Sequence, residues 1–324
     1  MIETTNRVAE TDIAVGVSSC LIGEKVRWNG GHQTNPFIKD VLGSFFRFVP
    51  VCPEFEIGLG VPREPLRLVG DPENPRLMTN RTRVDITEKM TEWANARVIE
   101  LEKEGLCGFI FKGKSPSSGL FRVKVYNDKG YPANRGTGLF ARIFVDTFPL
   151  IPVEEDGRLC DDAIRENFIE RIFVFKRWRE LLKNEPRVRH VMDFHTRHKY
   201  LIMSHSPKHY SLMGKFVASL KKETFPEDLK TYEGLLNEAM SLKATVAKHV
   251  NVLQHMAGYF KRDMSTDEKK ELGEVIEHYR AGSVPLIVPI TLVNHYVRKT
   301  GHPYLSSQVY LNPHPLELKL RNHV

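Results

Sequence analysis

The chain has little that would tie it to a membrane or to an oxidising compartment. Its longest apolar run, residues 283–293, is too short to span a bilayer and contains Pro285 and Pro289. The first twelve residues, MIETTNRVAETD, are polar and lack the apolar core of an export signal. Only four cysteines occur in 324 residues. Without an export signal they are expected to be cytoplasmic thiols or metal ligands rather than disulfides. No internal repeat and no low-complexity tract is visible. Histidine is nearly missing from the first half, where only His32 precedes His190, and that imbalance marks a seam.

What is present describes a folded protein. Hydrophobic residues make up 41% and charged residues 27%, and the length suits two domains, each large enough to bury its own core. The net charge of +7 points to a polyanionic partner, with nucleic acid first and an acidic membrane surface second. Plain solubility would account for the same charge. The segment FPLIPVEEDGRLCDD (148–162) reads as a proline-rich, acidic linker, which gives domains of 1–155 and 156–324.

The first half alternates strand and helix. Residues 12–20 carry Ile13, Val15 and Val17 at period two, 45–52 form a second β-type run stopped by Pro53, and 107–112 form a third. A helix is expected over about 87–104, with Thr87 as its N-cap and Gly105 as its stop. This order predicts an α/β domain with a doubly wound, mostly parallel sheet. The second half loses the alternation and predicts an all-α domain. Its expected helices cover 161–183, 187–203, 209–222, one long stretch over 226–261, 266–281 and 286–300.

Three strands of the first half run straight into turns of small and polar residues: SSCLIG (18–23), CPEFEIGLG (52–60) and KSPSSG (114–119). In an open parallel sheet, turns at the carboxyl ends of strands converge on one crevice. Cys20, Cys52, Glu54, Ser115 and Ser118 can therefore meet although they are far apart in sequence. Taken singly, each has a structural reading too: a buried thiol, an ordinary turn, a charge at a helix start.

The stretches GVSSCLIGEKVRWNGG, PVCPEFEIGLGVPREPLRL and GFIFKGKSPSSG resemble the motif set of the thiouracil desulfidase family, across most of residues 11–150. The second half resembles the YbgA-like helical family through ENFIERIFVFKRWRELL, DFHTRHKYLIMSHSPKHY and PHPLELKLRNHV. The fused arrangement is similar to desulfidases that remove sulfur from 4-thiouridine in transfer RNA. This resemblance implies a metal-binding site for a [4Fe–4S] cluster, with three thiolate ligands and one open iron to bind the thiocarbonyl sulfur as a Lewis acid. It also implies roles. Cys20 and Cys52 are cluster ligands, Glu54 is the general acid/base, and Ser115 positions substrate or relays a proton.

Where the family has Ser-Pro-Ser-Cys-Gly, this chain has Ser118 at the third ligand position, and a serine oxygen is a harder, less acidic donor than a thiol. Cys107 lies at the beginning of its strand rather than in the turn after it, and Cys160 lies in the linker. Three readings stay open: Ser118 ligates weakly, it disables an active enzyme, or the chain is a degenerate relative that binds RNA without catalysis. A different class, a module whose helical half binds another protein, also stands. Within the helical half, Arg177, Arg179, Arg187, Arg189, Arg197 and Lys199 are candidate RNA contacts, continued by Lys208, Lys215, Lys221 and Lys222. Trp178, Tyr200 and Tyr210 are interleaved for stacking, although solvated helix faces would look the same. His195 with His198 and His205 with His209 have ligand-like spacing but no cysteine or acidic companion, so they are expected to be RNA-facing polar residues or core histidines.

Overall fold

The computed structural model describes residues 13–323. The N-terminal dodecapeptide, with Asp12 at the start of the first expected strand, lies outside the described residues. The chain divides into two compact units, Met1–Cys160 and Asp161–Val324.

The first unit is built on a four-stranded sheet of order β2-β1-β5-β8, with β1 at Ala14–Ser18, β2 at Arg47–Val51, β5 at Gly108–Phe111 and β8 at Val153–Glu155. All three pairings are parallel. Every residue of β1 and β5 is buried, as expected of strands covered on both faces. Gly16 lets these two strands approach, because a Cβ there would lie 2.1 Å from the Phe109 ring. Phe109 and Phe111 stack at 4.1 Å and meet Phe140 and Phe144 of helix α3 (Leu139–Thr147). A short helix α1 (Pro53–Glu56) follows β2, and α2 (Thr87–Lys103) precedes β5. Thr87 is the first residue inside α2 rather than its cap; the Asp85 carboxylate takes the Thr87 N–H at 2.9 Å instead.

A second sheet was not foreseen. It has the order β4-β3-β6-β7, from β3 (Leu66–Asp71), β4 (Asn74–Thr79), β6 (Val123–Tyr126) and β7 (Pro132–Gly136). It is mixed, with β3 parallel to β6 and the two outer pairings antiparallel. The linker reading of 148–162 is also corrected. Its acidic residues end strand β8, where Glu154, Glu155 and Asp156 are buried. They are held because they satisfy donors: Glu155 accepts from the backbone N–H groups of Leu120 and Phe121, and Asp156 from that of Gly113.

The second unit is helical: α4 (Asp162–Lys183), α5 (Val188–His205), α6 (Pro207–Ala218), α7 (Phe225–Ser241), α8 (Val246–Ala257), α9 (Thr266–Arg280), α10 (Ile287–Thr300) and the short α11 (Pro303–Ser306). Helix α5 packs against α6, α7 and α8. The long stretch expected over 226–261 is two helices, since Thr245 caps a new start at Lys248 N. Trp178 and Tyr200 are core residues, 1% and 3% exposed, so neither can stack on a base. Trp178 instead packs on Phe194 and Tyr232. No described helix is long and apolar enough to cross a membrane.

Candidate functional site

Three strand ends of the parallel sheet build one cleft of about 390 Å3. At the end of β1 the chain turns through Ser19–Ile22 and places Cys20 there, with Gly23 closing the turn at a φ of 106°. At the end of β2, Cys52 precedes α1, and Glu54 sits in that helix's first turn. Beyond β5 comes the serine turn, and the Lys112 N–H donates to Ser18 Oγ at 2.9 Å, tying the β5 end to the β1 end. Cys20, Cys52, Glu54, Ser115 and Ser118 all line the cleft. Cys107 does not; its N–H donates to Ala14 O, at the opposite end of the sheet. Cys160 is exposed and also lies outside the cleft lining.

The serine turn is seated on the start of α3. The Ser117 carbonyl accepts from Ala141 N–H at 3.1 Å, and Gly138 N–H donates to Gly119 O at 2.7 Å. Gly138 permits this contact, because a Cβ there would stand 2.4 Å from the Ser117 carbonyl carbon. Within the turn, Ser115 Oγ accepts from the N–H groups of Ser117 and Ser118.

One residue that sequence reasoning passed over is Ser117. Fully buried, it donates its hydroxyl to Glu54 Oε1 at 2.7 Å and lies 3.0 Å from Ser115 Oγ and 3.3 Å from Ser118 Oγ. It therefore joins the carboxylate to both flanking serines. Its partner is 63 positions away, so no local signal pointed to it. Arg63 Nη2 stands 3.9 Å from the second Glu54 oxygen, and Cys52 Sγ lies 3.8 Å from that same oxygen. Lys112 pairs with Asp156 at 3.0 Å on the cleft wall.

Electrostatics hold both thiols protonated. Burial pushes Cys20 up to about 11, against the pull of Lys112. Burial, with the Glu54 charge beside it, pushes Cys52 up to about 12. Thiols held this way become ligands when a metal displaces the proton. The donor set fits iron unequally: two soft sulfurs and one hard hydroxyl face one cleft.

The candidate RNA contacts belong to the helical unit. Arg187, Arg189 and Arg197 are exposed on or next to α5. Arg177 is half-buried and bonds the Pro313 carbonyl, Arg179 lies over the Phe175 ring, and Lys199 Nζ sits 4.8 Å above the Tyr304 ring. The four histidines are core residues. His195 and His198 are held below the ordinary histidine range by burial. His205 bonds Glu170 at 2.9 Å and His209 bonds Ser206 at 2.8 Å.

Fold and cleft define an α/β protein with thiols, a carboxylate and serines gathered at the carboxyl ends of a parallel sheet, followed by a helical domain. The family model of 2-thiouracil desulfurase matches residues 15–156, and that of a protein of unknown function, DUF1722, matches residues 199–315. The uncharacterized protein YbgA of Escherichia coli K12 is 30% identical over 133 residues, 41% of this chain and 79% of YbgA. The uncharacterized protein YbbK of Bacillus subtilis 168 is 31% identical over 108 residues, 32% of this chain and 71% of YbbK. Among solved structures, the [4Fe-4S]-dependent thiouracil desulfidase TudS is 25% identical, with a TM-score of 0.38 over 46% of this chain and 94% of its own. The chain belongs to the 2-thiouracil desulfurase family through its N-terminal unit and to the YbgA-like proteins through its helical one.

Proposed function

We propose that this protein is an iron–sulfur-dependent desulfidase of thiolated uracil, acting on 4-thiouridine in transfer RNA to give uridine. The observation that carries the proposal is the meeting of Cys20, Cys52, Glu54, Ser115 and Ser118 in one cleft. In this reading residues 1–155 form the catalytic domain and 156–324 the RNA-binding one. The protein works in the cytoplasm.

Cys20, Cys52 and Ser118 are the residues that would hold a [4Fe–4S] cluster. When bound, the cluster supplies a Lewis-acidic iron for the thiocarbonyl sulfur. The chain's own groups handle water and protons. Glu54, fixed by the Ser117 hydroxyl on one oxygen, takes a proton from water as its oxygen adds to the ring carbon. The carbon exchanges sulfur for oxygen, sulfur leaves as sulfide, and no net electrons move. Ser115, joined to Glu54 through Ser117, passes the proton onward or holds the ring. Arg187, Arg189 and Arg197 would supply phosphate contacts, with Arg177, Arg179 and Lys199 as further candidates. Such binding should weaken steeply with salt.

A second reading is favoured by one residue, Ser118. With a hydroxyl at the third position, the chain would be an RNA-binding relative without a cluster. Desulfuration of thiouridine-bearing transfer RNA by the anaerobically reconstituted protein, followed by loss of thiouridine absorbance, separates the two. Turnover supports the desulfidase. RNA binding without turnover or iron supports the relative, and Ser118→Cys should then raise the iron bound per chain. Flat iron content in that variant would remove the serine turn from the ligand set.

A further inference from the structure

Trp28 is an uncovered indole on a loop that is firmly held. Its side chain lines the cleft together with Cys20, Cys52 and Glu54, yet the residue is 46% exposed. A single exposed aromatic is ordinary on a protein surface. What distinguishes this one is the way its loop is fastened. The Arg63 N–H donates to the Trp28 carbonyl at 2.8 Å. The Arg63 guanidinium donates to Val26 O at 2.9 Å, two residues before the indole, and to Gly60 O at 3.0 Å. Gly30 N–H donates to Arg27 O at 2.9 Å and Arg27 N–H to Gly31 O at 3.1 Å, closing a turn around Trp28.

One arginine with a buried side chain thus fastens the Trp28 segment at Val26 and at Trp28 itself, while its Nη2 stands 3.9 Å from Glu54. The Trp28 segment and the carboxylate are referred to the same residue. A surface meant only to fill space would not need this; a surface meant to receive a flat ring would. Rigidity before binding reduces the ordering cost on binding, and an uncovered ring on a cleft wall leaves apolar area for the ligand to bury.

We propose that the Trp28 indole is the wall on which a pyrimidine ring stacks in the cleft. The proposal deepens the desulfidase reading and rests on it for the identity of the ring. Stacking depends on the ring face and hardly on its exocyclic atoms. Trp28 therefore supplies affinity for thiolated and oxygenated pyrimidines alike, and discrimination of sulfur is left to the cysteine end of the cleft.

The test uses the full chain with 2-thiouracil and uracil as probes, measured by equilibrium dialysis on the wild type, Trp28→Ala and Trp28→Phe. The expected result is weaker binding of both probes by about tenfold or more in Trp28→Ala, with most of the affinity restored in Trp28→Phe. Uracil should also quench the indole emission of the wild type and lose that effect in both variants. Of the three tryptophans, Trp93 is partly buried and Trp178 is buried, so quenching by a cleft ligand reports Trp28. Unchanged affinity in Trp28→Ala, or equal loss in the alanine and phenylalanine variants, overturns the stacking wall and leaves the desulfidase reading intact. A wild type that binds neither probe overturns the stacking wall, while desulfuration of thiouridine-bearing transfer RNA decides the desulfidase reading separately.

Discussion

Two thiols and a carboxylate of the N-terminal unit, Cys20, Cys52 and Glu54, face a cleft, whereas the charged cluster buried around Arg321 in the helical unit faces inward. In the first, Cys20 and Cys52 line the wall and Glu54 turns one oxygen to Ser117 and the other toward Arg63 and Cys52. In the second, Arg321 divides its donors among Glu166 at 3.2 Å, Glu170 at 2.8 Å and Tyr310 O at 2.7 Å. His205 bonds the second Glu170 oxygen through Nε2 and Leu242 O through Nδ1. The residue types overlap, and the difference is whether a cleft reaches the group. A buried charge whose neighbours use all its donors and acceptors holds a fold together. One with a face on a cleft can exchange a proton or a ligand.

That comparison breaks first at Glu54. Glu54→Gln keeps an oxygen to accept the Ser117 hydroxyl but cannot take a proton. Turnover should fall by roughly a hundredfold or more, with iron content and thermal midpoint unchanged. A variant that turns over normally would place Glu54 with the structural charges. Arg321 gives the opposite pattern. Arg321→Met leaves two glutamates buried without their cation, which typically costs about 3–5 kcal/mol. Denaturant unfolding should show the loss in the helical unit, and desulfuration of thiouridine-bearing transfer RNA below the transition should continue. If stability were unchanged, the buried cluster would not be what fastens residues 310–321 to helix α4.

How far the sequence showed this arrangement depends on the distance over which each signal acts. The strand ends with Cys20, Cys52 and the serine turn were legible because a buried β run followed by a small-residue turn is a local pattern. Ser117 was not, since its role depends on Glu54, which a different strand presents. Strand β8 was read as linker because Glu154, Glu155 and Asp156 look solvent-seeking, while the amides they satisfy at Leu120 and Phe121 are more than thirty positions away. Strand β7, PANRG, is exposed over four of its five residues and carries no alternating pattern to betray it. Trp178 and Tyr200 show the ambiguity of aromatics amid basic residues. Composition suggested stacking, but the helix faces on which they lie point into the core.

The smallest expected effect sharpens the same contrast through pH. Burial, together with the charge of Glu170, pushes Glu166 up to about 8. Glu170 is also raised by burial, but Arg321 and His205 outweigh that and hold it below the usual carboxylate range. An unfolded glutamate titrates at about 4.3. The stability that Glu166 contributes is therefore complete below that value and is lost as pH rises through 8, because the folded state keeps a proton that the unfolded state has released. Glu170 runs the other way: its contribution is present above the unfolded value and fails only in acid. Burial keeps His195, His198, His249 and His314 below the ordinary histidine range, so the protons that their unfolded forms still carry just above about pH 6.5 add a smaller slope of opposite sign, common to wild type and variant. Between pH 7 and 8 the wild-type unfolding free energy should then fall by at most about 1 kcal/mol per pH unit. Glu166→Gln keeps an acceptor for Arg321 and should flatten that slope without removing the rest of the network. If the two slopes match in denaturant titrations at pH 7 and 8, Glu166 is ionised throughout, and Arg321 neutralises both carboxylates rather than one.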